Sequence, residues 1–423
     1  MKAQAALNVV MEVRPGHEAT LRSLLERMRQ DPGGNDILPF ERLDTVHFAR
    51  WVLLPEAHRR ARRHCPAQLV LTANLDGELD GHLAELVDVG GEGLRELLGH
   101  CRDFPEDAGD EQIRRYLADN QHRVGAFYVN TLGRSLAQVR LEARLHDTLQ
   151  RHLDDGEWGK RSATAIRQAL IDFVAADDDL RDALTPANGP GRWRWLQGWL
   201  LLGGIALIGL ILAVLLWPLT LLALVLLRLH ELGNAPHNRR PRDEHVRVLE
   251  ADEDRGVHNQ LSAVGYIQPG PFRRVLLHIA LWLLQLAVSW VFYRGKLAEI
   301  DTIHFARWVI IDQGSRVYFF SNFDGSPESY QDDFIERVAF GLNLVFSNGL
   351  GWPRTNFLVF GGANDEQAFK AYYRDHQIPT AVWYHAPAYT GLTAVNLANN
   401  AAIRAGLSGS MDEAQCRAWL QRF

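Results

Sequence analysis

The chain has 423 residues, 47% of them hydrophobic and 23% charged, with a formal net charge of −6. That length suits two or three folded domains, and the ordinary apolar content excludes a largely disordered polymer. The acidic balance, with no long basic stripe away from one hydrophobic segment, excludes nucleic acid as a partner, because counterion release needs concentrated Lys and Arg.

Residues 1–15 predict a strand with too little apolar length for a signal peptide. Pro15-Gly16 ends it before a helix at 17–29, whose Leu21, Leu24, Leu25 and Met28 form one stripe. Residues 43–54, through His47-Phe48-Ala49-Arg50-Trp51, predict a second strand, and 68–72 a third that closes at Ala73-Asn74-Leu75-Asp76-Gly77. Two helices, a strand at Ala126-Phe127-Tyr128 and another helix follow. Residues 162–184 predict an extra amphipathic helix ending in Asp177-Asp178-Asp179. The mixed charges of 233–254 predict a solvated linker rather than a site. Three widely spaced cysteines, Cys65, Cys101 and Cys416, lack Cys-x-x-Cys spacing and fit a reducing compartment.

The second half repeats the first. His47-Phe48-Ala49-Arg50-Trp51 recurs as His304-Phe305-Ala306-Arg307-Trp308, and Asn74-Leu75-Asp76-Gly77 matches Asn322-Phe323-Asp324-Gly325. Asp110-Glu111-Gln112 matches Asp365-Glu366-Gln367, and Ala126-Phe127-Tyr128 matches Val382-Trp383-Tyr384. Each copy reads strand, helix, strand, strand, helix, helix, strand, helix, which apart from one helix is the split βαβ order of a ferredoxin-like module. The expected fold is therefore α+β: two tandem ferredoxin-like modules packed through their sheets as a pseudo-dimer, with a hydrophobic helical hairpin inserted between them. The expected divisions are 1–155 for the first module, 156–195 for an amphipathic helix and linker and 196–229 for a membrane-inserted segment. They continue with 230–258 for a charged linker, 259–410 for the second module and 411–423 for a terminal helix.

Residues 196–227 carry no charge. As one straight helix they would measure about 48 Å, against a hydrocarbon core of about 30 Å. A hairpin bending near Gly209 or Pro218 fits better than a single tilted span. Arg192 and Arg194 precede the segment and Arg228, Arg239, Arg240 and Arg242 follow it, so the positive-inside rule places both ends in the cytoplasm. The lipid bilayer is thus the expected partner. Residues 275–293 are apolar almost all round, yet they occupy the place of the first copy's helix. A crossing there would separate two strands of one sheet and leave backbone groups unbonded. An interfacial helix over 272–294, with Trp282 and Trp290 at the membrane surface, is expected instead.

Neutral imidazole at His47 and His304 suits a metal or haem ligand or a general base; an alternative role is a buried hydrogen bond within the shared fold. The Asn-x-Asp-Gly turns make tight bends, and Ser326-Pro327 starts a helix. The second copy also concentrates polar and aromatic groups where the first drifts. Its candidate ligand-binding residues are His304, Arg307, Asn322, Asp324, Tyr330, Tyr384, His385, Asn396, Asn399 and Asn400, with Ser347, Asn348 and Tyr389 nearby in sequence. The first-copy positions taken to match the three helical asparagines are Arg140, Ala143 and Arg144. There is no Gly-x-Ser-x-Gly elbow or His-Glu-x-x-His pair.

At the His-Phe-Ala-Arg-Trp strands and the 321–326 turn, nearly the whole chain resembles an uncharacterised bacterial membrane-associated family. By element order it distantly resembles the dimeric α+β barrel superfamily that includes dye-decolourising peroxidases. Asp76-Gly77 and Asp324-Gly325 match the end of that family's Gly-x-x-Asp-Gly motif, with Ala73 or Ser321 at the first glycine. Haem is the cofactor that likeness implies. The functions implied are binding or transformation of a hydrophobic small molecule at the cytoplasmic membrane surface, with peroxidase-like oxidoreduction as one form. A non-catalytic membrane-bound binding or scaffold protein is the alternative.

Overall fold

The computed structural model describes residues 4–58, 64–187, 189, 191–236 and 240–423. Residues 1–3 of the predicted first strand and the flanking Arg239 fall outside that set, as does the side chain of Arg192.

The architecture is mixed α+β on antiparallel sheets. The first copy runs β1 (Gln4–Glu12), α1 (Glu18–Gln30), β2 (Val46–Leu54), a small hairpin of β3 (Ala57–His58) and β4 (His64–Cys65), β5 (Gln68–Asp76), α2 (Leu79–Leu98), α3 (Asp110–Asp119), β6 (Val124–Val129) and α4 (Leu136–Asp155). Then come α5 (Ala163–Ala176), α6 (Arg192–Leu215), α7 (Trp217–Gly233) and α8 (Asp243–Glu250). The second copy repeats the order as β7 (His258–Tyr266), α9 (Pro271–Trp290), β8 (Ile303–Ile311), β9 (Arg316–Asp324), α10 (Pro327–Phe346), the short pair β10 (Thr355–Asn356) and β11 (Phe360–Gly361), α11 (Glu366–His376), β12 (Val382–His385) and α12 (Ala394–Ala405). Helix α13 (Glu413–Leu420) closes the chain.

The two large sheets have strand orders β1-β5-β2-β12 and β6-β8-β9-β7. Each copy therefore gives its last strand to the other's sheet: Tyr384 pairs with Ala49, and Tyr128 with Ala306. The segments leading into the exchanged strands also bridge the edges, Gln121 beside Val9 and Gln377 beside Ala263. Between the sheets, Val10, Val52, Leu54 and Val70 pack against Val309, Ile311, Tyr318 and Phe320.

The repeated arginines staple this interior. Arg50 donates to the carbonyls of Leu261 (2.7 Å) and Ser321 (2.9 Å) and to the Asn322 side chain. Arg307 does the mirror task with Leu7 (2.8 Å), Ala73 (3.0 Å) and the Asn74 side chain. Burial lowers Arg50 to about 9, and burial together with the Arg50 charge lowers Arg307 well below its usual range.

Helix α9 keeps Leu277, Ala280, Leu281 and Val288 buried and packs on β6, while Val275, Ile279 and Trp282 stay exposed. Its flanking strands β7 and β8 share one sheet, so it lies against the body, as the repeat requires. Helix α6 leaves from the end of α9. Arg194 donates to the Ser289 carbonyl (3.1 Å) and lies 4.6 Å over the Trp290 ring. At Gly198 a Cβ would come within 2.5 Å of the Trp290 carbonyl, so only glycine allows that approach. The helix breaks at Leu216, where Pro218 starts α7, which selects the second of the two expected bend points. Helix α7 then returns to the body. Its buried Glu231 accepts from Thr355 Oγ1 (3.0 Å) and from the backbone N–H groups of Phe357 (3.0 Å) and Leu358 (2.7 Å).

The linker reading of 233–254 needs correction, because part of it is helix α8 and two of its acids are held by arginines of the body. Asp252 pairs with Arg29, and Glu253 with Arg374.

Candidate functional site

Both histidines of the repeated string occupy β-bulges. Val46 faces Leu75 and Phe48 faces Asn74, leaving His47 as the extra residue; Ile303 faces Phe323 and Phe305 faces Asn322, leaving His304. A bulge re-aims a side chain out of strict alternation. Each imidazole then meets the aspartate that ends the neighbouring strand, with Nε2 to Oδ1 at 3.0 Å for His47–Asp76 and 2.6 Å for His304–Asp324. The second carboxylate oxygen in each case accepts the first N–H of a helix, Leu136 N to Asp76 and Ala394 N to Asp324, both at 2.6 Å. The positive end of the helix dipole faces the carboxylate.

The copies differ at the residue paired with that aspartate on the edge strand. Gln4 lies opposite Asp76, and His258 opposite Asp324. Gln4 accepts from Gly133 N (2.8 Å) and donates to the Arg134 carbonyl (2.6 Å). His258 instead places Nδ1 2.8 Å from Asp324 Oδ1 and Nε2 2.7 Å from the Tyr389 carbonyl. The Tyr389 hydroxyl lies 2.6 Å from His47 Nδ1, so this one residue bridges the two His–Asp centres. All six side chains are buried.

For Asp324, burial alone would raise the carboxyl. The neighbouring His304 charge and the hydrogen bonds from His258, His304 and the Ala394 N–H hold it at about 2 instead. Burial pushes the His304 imidazole down despite its aspartate. Beside this cluster, a cavity of about 290 Å³ is lined by His258, Gln260, Trp383, His385, Asp252 and Arg255, among others. The His385 ring is 5.4 Å from that of His258, and burial lowers its pKa too.

Of the residues predicted from sequence, the structure unites His304 and Asp324 and places His385 at the cavity. Asn322 stands behind it, accepting from Arg50 and from Trp383 Nε1 (3.1 Å). The others lie elsewhere. Arg307 crosses to the opposite sheet, and Tyr330 stacks on Phe323 in the core at 3.8 Å. Tyr384 stacks on Phe40 inside the first copy because its strand is exchanged. Asn396 caps its own helix, Asn399 holds the Arg422 carbonyl (2.9 Å), and Asn400 is buried. Ser347 and Asn348 end α10, where the Ser347 carbonyl accepts from Arg273 and Asn348 donates to the Leu344 carbonyl (3.1 Å). The expected match to Arg140, Ala143 and Arg144 is displaced by two residues. Ser135 and Thr393 are the equivalent N-caps, so the partners are Gln138, Leu141 and Glu142.

Sequence reasoning missed His258, which fell inside the presumed linker. The available signal was its alignment with Gln4, a copy-to-copy change from amide to imidazole beside a shared aspartate.

No protein-family model, curated protein or solved structure matches the chain. The residues do not fit haem. His304 is only 2% exposed and His47 is fully buried, and neither lines the cavity beside the cluster, so no imidazole of the two repeated strands faces a space for a porphyrin.

Proposed function

We propose that this chain is a membrane-attached protein that binds a hydrophobic small molecule at the cytoplasmic surface of the bilayer. In this reading two ferredoxin-like modules form an eight-stranded pseudo-dimer through the exchanged strands. The α6–α7 pair dips into one leaflet and returns, α9 lies at the interface, and the ligand enters the cavity beside His258 and His385.

The observation that carries the reading is the state of α6 and α7. In the most apolar 18-residue stretch of Trp193–Leu215 the mean hydropathy is 2.5, and only 6% of that stretch is covered by protein. Leu200, Ile208, Leu210, Leu215, Trp217 and Leu219 are all exposed. Water would not tolerate an uncovered apolar surface of that extent on a soluble monomer. Both ends are tied to the body, through Arg194 and Gly198 on one side and Arg228 and Glu231 on the other. Such tethering supports an entry and an exit on the same face, which agrees with the arginines at both flanks.

Binding is favoured over peroxidase-like catalysis because the His–Asp centres are enclosed and offer haem no free imidazole. Single cysteines at Glu111 and Glu366, exposed at the starts of equivalent helices, test the arrangement in sealed vesicles of known orientation. The native thiols are buried and give little background. A membrane-impermeant maleimide is expected to label both positions from the same side; labelling from opposite sides would overturn the proposal.

A further inference from the structure

We infer that His258 Nδ1, His304 Nε2 and Asp324 Oδ1 form a binding site for one divalent transition-metal ion, of the zinc or ferrous type. The inference stands on these side chains alone and does not depend on membrane attachment. The three donor atoms lie within 4.8 Å of one another, from three separate strands, and all three residues are buried. Two imidazoles and one carboxylate are the donor set that such ions prefer.

The hydrogen bonds around the cluster point the same way. A ligating histidine characteristically donates its second ring N–H to a carbonyl, and a ligating carboxylate has its free oxygen held by a donor. His258 Nε2 lies 2.7 Å from the Tyr389 carbonyl, and Asp324 Oδ2 accepts from Ala394 N at 2.6 Å. Both supporting contacts are therefore in place. Metal bonds of about 2.1 Å require the present donor separations of 2.6 and 2.8 Å to open to roughly 3.0–3.4 Å, through rotation of the rings. A fourth position can be filled by water or ligand from the cavity that His258 lines.

The first copy supplies an internal control. It has His47 and Asp76, but Gln4 where the second has His258, so it offers two strong ligands rather than three. The expected stoichiometry is one ion per chain, not two.

The test uses the full chain in detergent, stripped with a chelator and titrated with Co²⁺ as a visible probe. Visible d–d bands saturating at one equivalent, displaced by Zn²⁺, are expected. His258→Gln, which installs the first copy's residue, should weaken Co²⁺ binding by about 100-fold or more while leaving the circular dichroism spectrum unchanged. Folded wild-type chain that shows no bands at one equivalent overturns the site, as does a folded His258→Gln chain that binds as wild type does. If that variant fails to fold, the wild-type titration still decides.

Discussion

The two His–Asp centres share a frame and differ in their further contacts, His47 to the Tyr389 hydroxyl and Asp324 to His258. In both, a bulge histidine meets a strand-end aspartate that caps a helix, at His47–Asp76–Leu136 and at His304–Asp324–Ala394. The shared part fastens a helix N-terminus to the end of a strand and needs no ligand to explain it. What the second centre adds is His258, which also lines the neighbouring cavity. Where an internal repeat keeps a feature twice, architecture is the sufficient reason; where one copy changes, the change marks the place to look for function.

The comparison is broken most directly by removing each carboxylate charge in metal-free protein. Asp324→Asn removes the buried carboxylate that His258, His304 and the Ala394 N–H all contact, and should cost about 3–5 kcal/mol. Asp76→Asn disturbs one imidazole and should cost about 1–3 kcal/mol. Denaturant unfolding of both variants checks the order. Equal losses would mean that His258 adds nothing to the second centre.

A second contrast lies one turn into the helix after each aspartate, where His82 occupies the place of Tyr330. Tyr330 stacks on Phe323, whereas His82 is a buried imidazole whose Nδ1 stands 3.7 Å from the Glu85 carboxylate, with no hydrogen bond to either ring nitrogen. Burial lowers its pKa from 6.5 to about 4. The folded state therefore prefers neutral His82, and its contribution is intact above pH 6.5 and lost as the pH falls toward 4. The loss is about 3 kcal/mol at the acid end. His82→Phe removes that slope, so the variant should gain about 3 kcal/mol on wild type between pH 7.5 and pH 4, measured by unfolding at the two values.

Much of the frame was legible in the sequence, because a five-residue identity and matched spacings need only a shared backbone to persist. The position of α9 between two strands of one sheet followed from the repeat, while its length and hydropathy also suit a membrane span. The exchange of β6 and β12 was not legible: a strand such as Val382–His385 shows the same alternation whichever sheet receives it, and pairing partners are set by long-range geometry. That exchange also misplaced Tyr384. His258 was hidden by its charged neighbours at 243–255, which read as solvent-facing although Asp252 and Glu253 are paired. Tyr330 and Arg307 drew attention as polar residues, but burial among aromatic rings and carbonyls accounts for both.

The smallest contrast concerns the helix caps, and it decides whether the asparagines of α12 need a ligand. Asn396 forms a reciprocal capping box, its Oδ1 accepting from Thr393 N (3.0 Å) while its own N–H donates to Thr393 Oγ1 (3.1 Å). In the first copy the Gln138 N–H donates to Ser135 Oγ, but its side chain turns away to Glu142 (2.6 Å). Asn396→Ala should therefore destabilise the chain by about 1 kcal/mol, and Gln138→Ala by about half of that or less. Thermal melts of the two variants make the comparison. Asn is a poor helix former, so the capping box has to repay its presence; if Asn396→Ala melts no lower than Gln138→Ala, capping no longer explains the residue, and a binding role for that helix end returns.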